Sequence, residues 1–358
     1  MKKNIAVLAG DGIGPEVMNE AIKVLDKVAL KFGHEFEYTE ALIGGAAYDE
    51  HGEHLPESTL KVCGGADAVL FGSVGGPVDA QDDPKWKGCE KTAILGIRRH
   101  FSFNINLRPS IVFEALTDIS PLKKSLIGDG FDIMIIRELT GGIYFGKHET
   151  SDENGVRVAR DEMRYDENEV RAIAKVAFDI AKTRGGKLIS VDKANVLDCS
   201  ILWRKVMEEA SADYGDVALE HMYIDNAAMQ LVKNPRSFDT VVTGNMFGDI
   251  LSDLSSVFAG SLGVLGSASL NADGFGMYEP SGGSAPDIAG RGIANPIAQI
   301  LSAAMMLKYS FGMQDEYDAV YDAVSQTLAD GVRTGDICSA EMKAVGTSEM
   351  GDEIASRV

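Results

Sequence analysis

The stretch NIAVLAGDGIGPEVMNEAIKVL, residues 4–25, decides the fold class. Asn4–Leu8 is a short apolar run of the kind that forms a buried strand, and glycines mark a turn directly after it. Pro15 stands where a proline suits the first turn of a helix, and apolar residues then recur at helical spacing until Gly33. The stretch therefore predicts a strand, a tight turn and a helix.

The turn in this unit does not match the dinucleotide-binding fingerprint G-x-G-x-x-G. Its glycines, Gly10, Gly12 and Gly14, are followed by Pro15 and Glu16. Proline removes a backbone N–H, and glutamate puts a negative charge where a pyrophosphate would lie. The turn also lacks the lysine of a phosphate-binding P-loop. A tight strand-to-helix turn is therefore all that this stretch establishes.

Strand and helix signals alternate along the rest of the chain, which is typical of α/β architecture. Further strands are predicted at Ala68–Phe71, Asn104–Leu107, Asp132–Arg137, Leu188–Asp192, Val217–Ile224 and Asp239–Val242. Helices are predicted at Glu167–Thr183 with Asp166 as N-cap, Ile201–Ala212, Ala227–Val232, Phe247–Phe258, Ile297–Phe311 and Tyr317–Ala329. A length of 358 residues favours two domains or one large α/β domain.

Residues 146–165, GKHETSDENGVRVARDEMRY, break the alternation. The segment is polar, contains an Asn-Gly turn signal and continues with a Val-Arg-Val alternation, so it predicts a projecting β-hairpin arm. An arm with little core of its own needs a surface to pack on, and a second subunit is the obvious partner. A merely solvated loop is an equally good interpretation of the sequence alone.

The composition excludes several classes of protein. A net charge of −20 argues against non-specific binding of nucleic acid and against an anionic membrane surface. No apolar run is long enough to span a bilayer, and the N-terminal run is too short for a signal peptide. The cysteines form no CxxC pair, which favours reduced, buried thiols at Cys63, Cys89, Cys199 and Cys338. We expect a soluble, cytoplasmic protein.

Three arginines near predicted strand ends are candidates for binding an acidic substrate. They are Arg98, Arg108 and Arg137. A guanidinium group grips a carboxylate through two hydrogen bonds, so three of them in one cleft would hold a di- or tricarboxylate. Ligands of α/β proteins bind at strand ends, which favours this function over three separate surface ion pairs.

Two further residues have the chemistry of an acid–base pair. Lys193 ends an apolar strand in VDKANV, where partial desolvation would lower its pKa towards use as a general base. Tyr144 follows two glycines in RELTGGIYFG and could relay a proton. Taken alone, each residue is more often structural.

The stretch NMFGDILSD, residues 245–253, places Asp249 and Asp253 one helical turn apart on one face. Like charges at this spacing repel each other unless a cation offsets them. A third acid, Asp225, closes the strand-like HMYID. Three carboxylates without soft ligands suit Mg²⁺ or Mn²⁺. The alternative is that Asp249 caps its helix and Asp253 is merely solvated.

Residues 278–296, YEPSGGSAPDIAGRGIANP, form a long loop rich in Gly, Pro and Ser. Loops of this length are usually functional or disordered. Its acid, Asp287, could accept hydrogen bonds from both ribose hydroxyls of a dinucleotide and would repel a 2′-phosphate. The loop therefore favours NAD over NADP.

These stretches together resemble the β-decarboxylating dehydrogenases that act on isopropylmalate and isocitrate. The matching motifs, in family order, are LAGDGIGPEV, FGSVGGP, NLRP, RELTGGIYFG, DKANVL, GNMFGDILSDL and EPSGGSAPDIAGRGIANP. The resemblance implies that family's two-domain α/β fold and not a Rossmann domain. Residues 1–103 and 260–358 would form the large cofactor-binding domain. Residues 104–259 would form the small domain, with the metal site, the dimer interface and an arm at about 146–165 that clasps the partner of a homodimer.

The resemblance also implies roles for individual residues. Arg98, Arg108 and Arg137 would bind the malate carboxylates, and Tyr144 would pair with Lys193 from the neighbouring subunit as acid and base. Asp225 of the partner subunit would contact substrate and, with Asp249 and Asp253, bind Mg²⁺ or Mn²⁺. The NAD site would be lined by Asn195, Ile13, Gly76–Glu90 and Gly283–Asn295, a range that includes Ser284, Ala285, Pro286 and Asp287.

The residues before Arg98 bear on the substrate. Ile94 and Leu95 offer an apolar wall suited to an isopropyl group, where a buried carboxylate would go unpaired. The expected reaction is NAD-dependent oxidative decarboxylation of (2R,3S)-3-isopropylmalate to 4-methyl-2-oxopentanoate and CO₂, a step of leucine biosynthesis. Lys91 could pair with an additional carboxylate, so isocitrate, homoisocitrate and tartrate or malate stay open as substrates. A non-catalytic regulatory subunit is disfavoured because the acid–base pair and all three aspartates are present.

Overall fold

The computed structural model describes residues 1–80, 82–339, 342 and 344–358. Its strands are β1 (Lys2–Gly10), β2 (Glu35–Glu40), β3 (Ala68–Ser73), β4 (Ile105–Val112), β5 (Phe131–Glu138), β6 (His148–Glu153), β7 (Val156–Asp161), β8 (Lys187–Asp192), β9 (Ala218–Tyr223), β10 (Thr240–Thr243), β11 (Gly266–Leu270) and β12 (Gly276–Pro280). Its α-helices are α1 (Gly14–Phe32), α2 (Gly44–His51), α3 (Glu57–Gly64), α4 (Cys89–His100), α5 (Lys124–Ile127), α6 (Glu167–Thr183), α7 (Asp198–Ser211), α8 (Ile224–Lys233), α9 (Asn245–Ser256), α10 (Ile297–Tyr309), α11 (Gln314–Ala329) and α12 (Thr347–Ala355). The α/β class is confirmed, and the predicted elements are present with ends that differ by a few residues.

The chain folds into two compact units. The first consists of Met1–Phe103, Ile111–Pro121 and Ala259–Val358, and the second of Asn104–Ser110 and Leu122–Phe258. The sequence prediction assigned all of residues 104–259 to the small domain, so the placement of Ile111–Pro121 differs from it.

The segment Ile111–Pro121 lies in the first unit because its side chains pack there. The ring of Phe113 lies 5.5 Å from that of Tyr321 on α11. The guanidinium of Arg333 donates a hydrogen bond of 2.8 Å to the Ala115 carbonyl. Neither contact has a local sequence signal, because each partner lies some two hundred residues further along the chain.

The sheet of the first unit follows from its apolar runs. Its strands lie in the order β2-β1-β3-β12-β11, with β11 antiparallel to β12 and the other pairs parallel. Residues 5–8 of β1 and all of β3 are buried, which explains why these strands read as continuous apolar runs. Helix α1 begins with Pro15 in its first turn and ends at Gly33, whose φ of 71° places it in the left-handed region. Both ends were predicted.

The sheet of the second unit has the strand order β4-β5-β10-β8-β9, and β5, β10, β8 and β9 run parallel. Helix α6 begins at the predicted residue because Asp166 accepts hydrogen bonds from the amides of Asn168 and Glu169. The Glu169 side chain accepts in return from the Asp166 amide, which completes a capping box. Parallel strands bring their carboxyl ends to one edge, and Arg137 and Lys193 lie at or just beyond those ends.

The predicted hairpin is a separate antiparallel pair, β6 and β7. Its turn residues, Asn154 and Gly155, both have positive φ, at 57° and 82°, as a two-residue hairpin turn requires. Nearly all of its side chains are exposed. The hairpin is confirmed, and its packing on a second subunit stays a prediction.

Several sequence predictions were wrong in detail. Strand β9 ends at Tyr223 and α8 begins at Ile224, so Asp225 lies in the first turn of a helix rather than at a strand end. The predicted long loop is shorter, because β12 extends to Pro280. Cys63 and Cys89 are buried free thiols, but Cys199 and Cys338, also free, are partly exposed. No helix in the described ranges is long and apolar enough to cross a membrane.

Candidate active site

Arg137, Tyr144 and Asp249 meet in the second unit. Arg137, near the end of β5, donates a short hydrogen bond from Nη1 to Asp249 Oδ1. The Tyr144 hydroxyl donates to the other oxygen, Asp249 Oδ2, at 3.0 Å. One carboxylate on α9 thus joins a buried guanidinium to a phenol that is 46% exposed.

Burial and the neighbouring carboxylate act on the Tyr144 phenol in the same direction. Desolvation raises its pKa, and the hydrogen bond to Asp249 raises it further because a phenolate there would face a negative charge. The positive charge of Arg137 opposes this only in part. Tyr144 therefore holds its proton at neutral pH and can act as an acid.

Asn245 fixes Arg137, and sequence analysis missed it. Its Oδ1 accepts hydrogen bonds from Arg137 Nε at 3.1 Å and Nη2 at 2.9 Å. Gly248 makes room for the arginine stem, because a Cβ there would lie 2.6 Å from Arg137 Cγ. The available signal was a polar residue one turn before Asp249 in an otherwise apolar helix.

Helix α9 places Asp249 and Asp253 on one face, as their spacing predicted. Its N-cap is Gly244, so Asp249 is not the cap of this helix. Asp249 is half-buried and Asp253 is exposed. Arg137 offsets the charge of Asp249 from one side.

Lys193 and Asp225 form a second cluster in the same unit. Lys193 follows β8 directly, and its Nζ lies 2.5 Å from Asp225 Oδ1. The hydrogen bond from Lys193 lowers the pKa of the Asp225 carboxyl. The two residues are therefore presented together by one chain.

Asp192 fixes the loop that carries Lys193. No pattern in the sequence marked Asp192 as a residue that supports the site. Its buried carboxylate accepts two hydrogen bonds from Arg204, at 2.9 and 2.8 Å, and one from the Ala194 amide. The Lys193 amide itself donates to Ser200 Oγ at 3.1 Å. These bonds fix the backbone on both sides of Lys193, while Asn195 stays exposed in the turn.

The other two arginines are not at strand ends. Arg108 lies inside β4, where its Nε donates to Asn106 Oδ1 at 2.9 Å. Arg98 lies in the last turn of α4, in the first unit, and pairs with Glu279 at 2.7 Å. The sequence analysis placed Arg98 near a strand end, but the apolar residues before it belong to a helix.

Helix α4 carries the residues that the sequence analysis linked to substrate specificity. Lys91, Ile94, Leu95 and Arg98 are spaced by three and four residues, so they share one face. Ile94 packs partly against the hydrophobic core, whereas Leu95 is 41% exposed. The exposed apolar part of this face is therefore Leu95, one turn from the guanidinium.

The glycine turn after β1 is a junction between loops of the first unit. The Ile13 amide donates to the Ser284 carbonyl at 2.8 Å, and Gly292 donates to Glu16 Oε2 at 3.1 Å. Gly12 has a φ of 60°, and a Cβ there would lie 1.9 Å from the Ser284 oxygen. The glycine is required by this close approach, so the turn and residues 281–296 hold each other in place.

Asp11 ties the same turn to two more loops. Its buried carboxylate accepts hydrogen bonds from the amides of Gly45, Ala46 and Gly75, at 2.9, 2.8 and 3.0 Å. The first two amides belong to the N-terminal turn of α2, whose partial positive charge suits a carboxylate. Asp11 thus stabilises the loop that leads to Gly76.

Three residues predicted to line the cofactor site border one cleft of about 330 Å³, namely Ile13, Gly283 and Asn295. The remaining wall is formed by Val17, Ser73, Leu262, Gly263, Pro280, Gly282, Ala298 and Gln299. Of the other predicted residues, Ser284 is buried, Ala285 has a strained φ of 39°, and Pro286 and Asp287 are exposed. The cleft is apolar and glycine-rich, which fits a flat ring system.

The predicted segment Gly76–Glu90 packs next to the Asp11 junction. Trp86 lies flat on two glycines, because a Cβ at Gly76 or Gly45 would fall 2.2 Å from its ring. Glu90 lies against Gly75. Gln81, within this segment, lies outside the described residues.

Within the described part of a single chain, no three His, Cys, Asp or Glu side chains are grouped to hold a metal ion. Asp249 and Asp253 supply oxygen ligands one turn apart on α9, and Asp225 lies on α8 against Lys193. A hard divalent cation at Asp249 and Asp253 would complete its coordination with oxygen atoms of water, substrate or another chain. A carboxylate from the partner subunit stays a prediction.

Comparison with known proteins finds strong similarity over the whole chain. The family model described as isocitrate/isopropylmalate dehydrogenase matches residues 4–354. A 3-isopropylmalate dehydrogenase from Syntrophotalea carbinolica is 55% identical over 367 residues, which cover 100% of this chain and 99% of that protein. One from Haemophilus influenzae is 52% identical over 356 residues, covering 99% of each.

The fold of the chain is also similar to solved structures of dehydrogenases. An isocitrate dehydrogenase from Methylococcus capsulatus has a TM-score of 0.84 at 31% identity and covers 99% of both chains. A β-decarboxylating dehydrogenase from Thermococcus kodakarensis has a TM-score of 0.81 at 34% identity, covering 99% of this chain and 96% of that one.

Proposed function

The chain belongs to the isocitrate/isopropylmalate dehydrogenase family, and we propose that it oxidises and decarboxylates (2R,3S)-3-isopropylmalate with NAD⁺ in leucine biosynthesis. The observation that carries the proposal is the contact of Arg137, Tyr144 and Asp249, which joins a carboxylate-binding group, an acid and a metal ligand. Full-length relatives named 3-isopropylmalate dehydrogenase, at more than half identity, support the choice of substrate.

The substrate's carboxylates are bound by arginines in this proposal. Asn245 holds the Arg137 guanidinium from one side, so the group meets a substrate carboxylate with little loss of side-chain freedom. Arg108 and Arg98 complete the set, each kept in orientation by a neighbouring oxygen of Asn106 or Glu279. Leu95 contacts the isopropyl group, because it is the exposed apolar side chain beside Arg98.

Asp249 and Asp253, with Asp225 of the partner subunit, hold Mg²⁺ or Mn²⁺. When bound, the cation supplies a Lewis acid at the 2-hydroxyl group and NAD⁺ supplies the hydride acceptor. Lys193 removes the proton of that hydroxyl group from its fixed position after β8. Tyr144 later donates its proton to the carbon from which CO₂ has left.

A homodimer with shared sites is supported by the surface of α8 and α9. Helix α8 exposes Met229 and Val232, α9 exposes Ile250, and Val257, directly after α9, is exposed as well. Apolar residues on neighbouring helices are more readily explained by a partner than by contact with water. Lys193 and Asp225 are paired on one chain. In a dimer of this kind, each subunit therefore contributes both residues to the active site of its partner.

We expect NAD⁺ reduction by the purified protein with 3-isopropylmalate, and loss of that activity in EDTA. Added Mg²⁺ or Mn²⁺ should restore it, and NADP⁺ should be a poor acceptor. The measurement is NADH formation across 3-isopropylmalate, isocitrate, homoisocitrate, tartrate and malate. We expect at least a tenfold preference in kcat/KM for 3-isopropylmalate over isocitrate, about 1.4 kcal/mol.

Each other outcome has a definite meaning. Undiminished turnover in EDTA would contradict the metal assignment. A preference for isocitrate would point to Lys91, which shares the face of Arg98, as the partner of an additional carboxylate. No turnover with any substrate would favour a regulatory subunit.

Shortening Leu95 to alanine should raise KM for 3-isopropylmalate about tenfold and leave KM for NAD⁺ unchanged. Loss of a few methylene contacts in a binding site costs about 1–3 kcal/mol. Steady-state kinetics with both substrates measure the effect. Leu30→Ala on α1 is the matched control, since Leu30 is 80% exposed in the same unit. Equal KM values in the two variants would exclude Leu95 from the substrate site.

Gly12→Ala should raise KM for NAD⁺ at least tenfold, because the new Cβ would collide with the Ser284 carbonyl and separate the turn from the cofactor loop. Gly33→Ala is the control for the strain of a positive φ, since Gly33 has a φ of 71° and nothing within 4 Å of a Cβ. Steady-state kinetics and NAD⁺ titration check the prediction. If both variants lower NAD⁺ affinity equally, strain and not the loop contact is responsible.

A further inference from the structure

Tyr165 is a half-buried tyrosine with no role in the chemistry described above. The sequence pattern places it at the end of the projecting arm, but β7 ends at Asp161 and Tyr165 lies just before α6. Its ring packs edge-on against Trp203, with centroids 5.6 Å apart. Tyr165 therefore belongs to the body of the second unit.

The Tyr165 hydroxyl bridges two segments that carry functional residues. It accepts a hydrogen bond of 2.8 Å from the backbone amide of Asn245, the first residue of α9. Burial and the nearby charge of the Glu138 carboxylate, which is itself only 1% exposed, raise the pKa of this hydroxyl group. The hydroxyl group thus binds the start of α9 and lies close to the acid that holds the turn after β5.

Glu138 in turn holds the turn that follows β5. Its carboxylate accepts from the Thr140 amide at 2.6 Å, the Thr140 hydroxyl at 2.8 Å and the Gly141 amide at 2.8 Å. The Gly141 carbonyl is also bound, by the Asn245 side-chain amide at 3.1 Å. The turn and the start of α9 are therefore joined through Tyr165 and Asn245.

The glycines around Tyr165 show how closely its hydroxyl is enclosed. A Cβ at Gly142 would lie 2.4 Å from the hydroxyl oxygen, and one at Gly244 would lie 2.9 Å from it. A Cβ at Gly141 would lie 2.7 Å from the ring. The turn and the N-cap of α9 therefore approach the tyrosine from two sides.

We propose that Tyr165 is a positioning residue that locks the turn after β5 to the start of α9, and thereby sets the contact between Tyr144 and Asp249. Tyr144 lies four residues beyond Thr140, and Asp249 lies one helical turn beyond Asn245. Each functional residue is thus close along the chain to one end of the bridge. The catalytic meaning of the contact rests on the proposed function.

The hydroxyl group, and not only the ring, is required for this role. Phenylalanine would keep the packing on Trp203 but would leave the Asn245 amide without its acceptor. Asn245 is buried, so the start of α9 would shift to find another partner, and the turn bound to its side chain at the Gly141 carbonyl would shift with it. A misplacement of about 1 Å at a reacting group can cost about a hundredfold in rate.

Tyr165→Phe is therefore expected to lower kcat with 3-isopropylmalate about 10- to 100-fold. KM for NAD⁺ should stay within about twofold, because the cleft bordered by Ile13, Gly283 and Asn295 belongs to the other unit. The matched control is Tyr214→Phe in the same unit. Tyr214 stacks on Phe178 with centroids 4.8 Å apart and donates to Asp179 at 3.0 Å, so it loses an equivalent hydroxyl bond. Its kinetics should match those of the wild type.

Hydrogen–deuterium exchange supplies a readout that does not depend on the substrate. In Tyr165→Phe, the amides of residues 139–147 and those of residues 245–250 should both exchange faster, and in Tyr214→Phe neither should. Faster exchange in both segments with a lowered kcat supports the proposal. Unchanged kcat in the folded variant, or faster exchange in the α9 segment alone, overturns it.

Two further measurements decide the question if the first variant does not fold or the wild type is inactive. If Tyr165→Phe does not fold, Gly244→Ala replaces it, since the Gly244 φ of −65° accepts alanine while the Cβ presses on the Tyr165 hydroxyl. The same joint change in exchange and kcat is expected, at smaller size, and its absence overturns the proposal. If the wild type does not turn over 3-isopropylmalate, the proposed function fails, and the exchange data alone decide the role of Tyr165.

Discussion

The Lys193→Met variant is expected to lose about a thousandfold in kcat with 3-isopropylmalate, while KM for NAD⁺ changes by no more than a few fold. Methionine keeps the length and the apolar stem of the side chain but cannot accept a proton. The bonds that fix the loop use the Lys193 backbone and the Asp192 carboxylate, so they survive the substitution. The expected loss therefore reports on the amine and not on the fold.

Lys187→Met is the matched control for this experiment. Lys187 begins the same strand, β8, and its amine pairs with Glu220 at 3.2 Å near the surface. Surface pairs of this kind contribute little to stability, about 0–1 kcal/mol. Steady-state kinetics and thermal unfolding of both variants make the comparison. A Lys193→Met enzyme that keeps more than about a tenth of wild-type kcat would remove Lys193 from the role of base.

The fold could be predicted wherever local signals agree with tertiary structure. Helix α6 begins at the predicted residue because the Asp166 cap and the apolar period point to the same start. Strand β2, Glu35–Glu40, was not predicted because it lies at the edge of its sheet and half of its residues are glutamates. Helix α4 was not predicted because its apolar residues are few and precede three basic ones, Arg98 among them.

The sequence predicted the position of a site residue where helix periodicity sets that position. It did not predict positions that depend on packing between distant segments. The shared face of Asp249 and Asp253 comes from helix geometry alone, so spacing was sufficient. The supports of the site depend on contacts between distant segments, such as Tyr165 with Asn245, eighty residues away. Glu138 had a weak signal, since it is an acid that follows Arg137 at the end of β5.

The second unit keeps its functional side chains in two separate groups. Arg137 and Tyr144 meet at Asp249, whereas Lys193 meets Asp225. Acid and base must act on one substrate molecule, and the proposed metal site takes a third carboxylate, Asp225, besides the two of α9. If each active site of a dimer combines the first group of one chain with the second group of the other, the acid meets the base and the metal site gains its third carboxylate. The pairing of Lys193 with Asp225 then has a specific consequence for mixed dimers.

Equal amounts of Tyr144→Phe and Lys193→Met protein, unfolded together and refolded, should recover about a quarter of wild-type activity, although each variant alone is nearly inactive. Half of the dimers formed at random contain one chain of each kind. In such a dimer one site receives both defects, and the other receives an intact tyrosine and an intact lysine. Mixing without unfolding should recover nothing, provided that subunits do not exchange during the assay.

Mixing Lys193→Met with Asp225→Asn gives the opposite expectation and tests the pairing itself. In the proposed dimer, one subunit contributes both Lys193 and Asp225 to a given site. Every site in a mixed dimer therefore lacks one of the two residues, and activity should not return. Sites built within one chain would leave both mixtures inactive, which would contradict the shared site. Recovery in the second mixture would instead show that Lys193 and Asp225 serve different sites, and the pair seen in the single chain would then have no catalytic meaning.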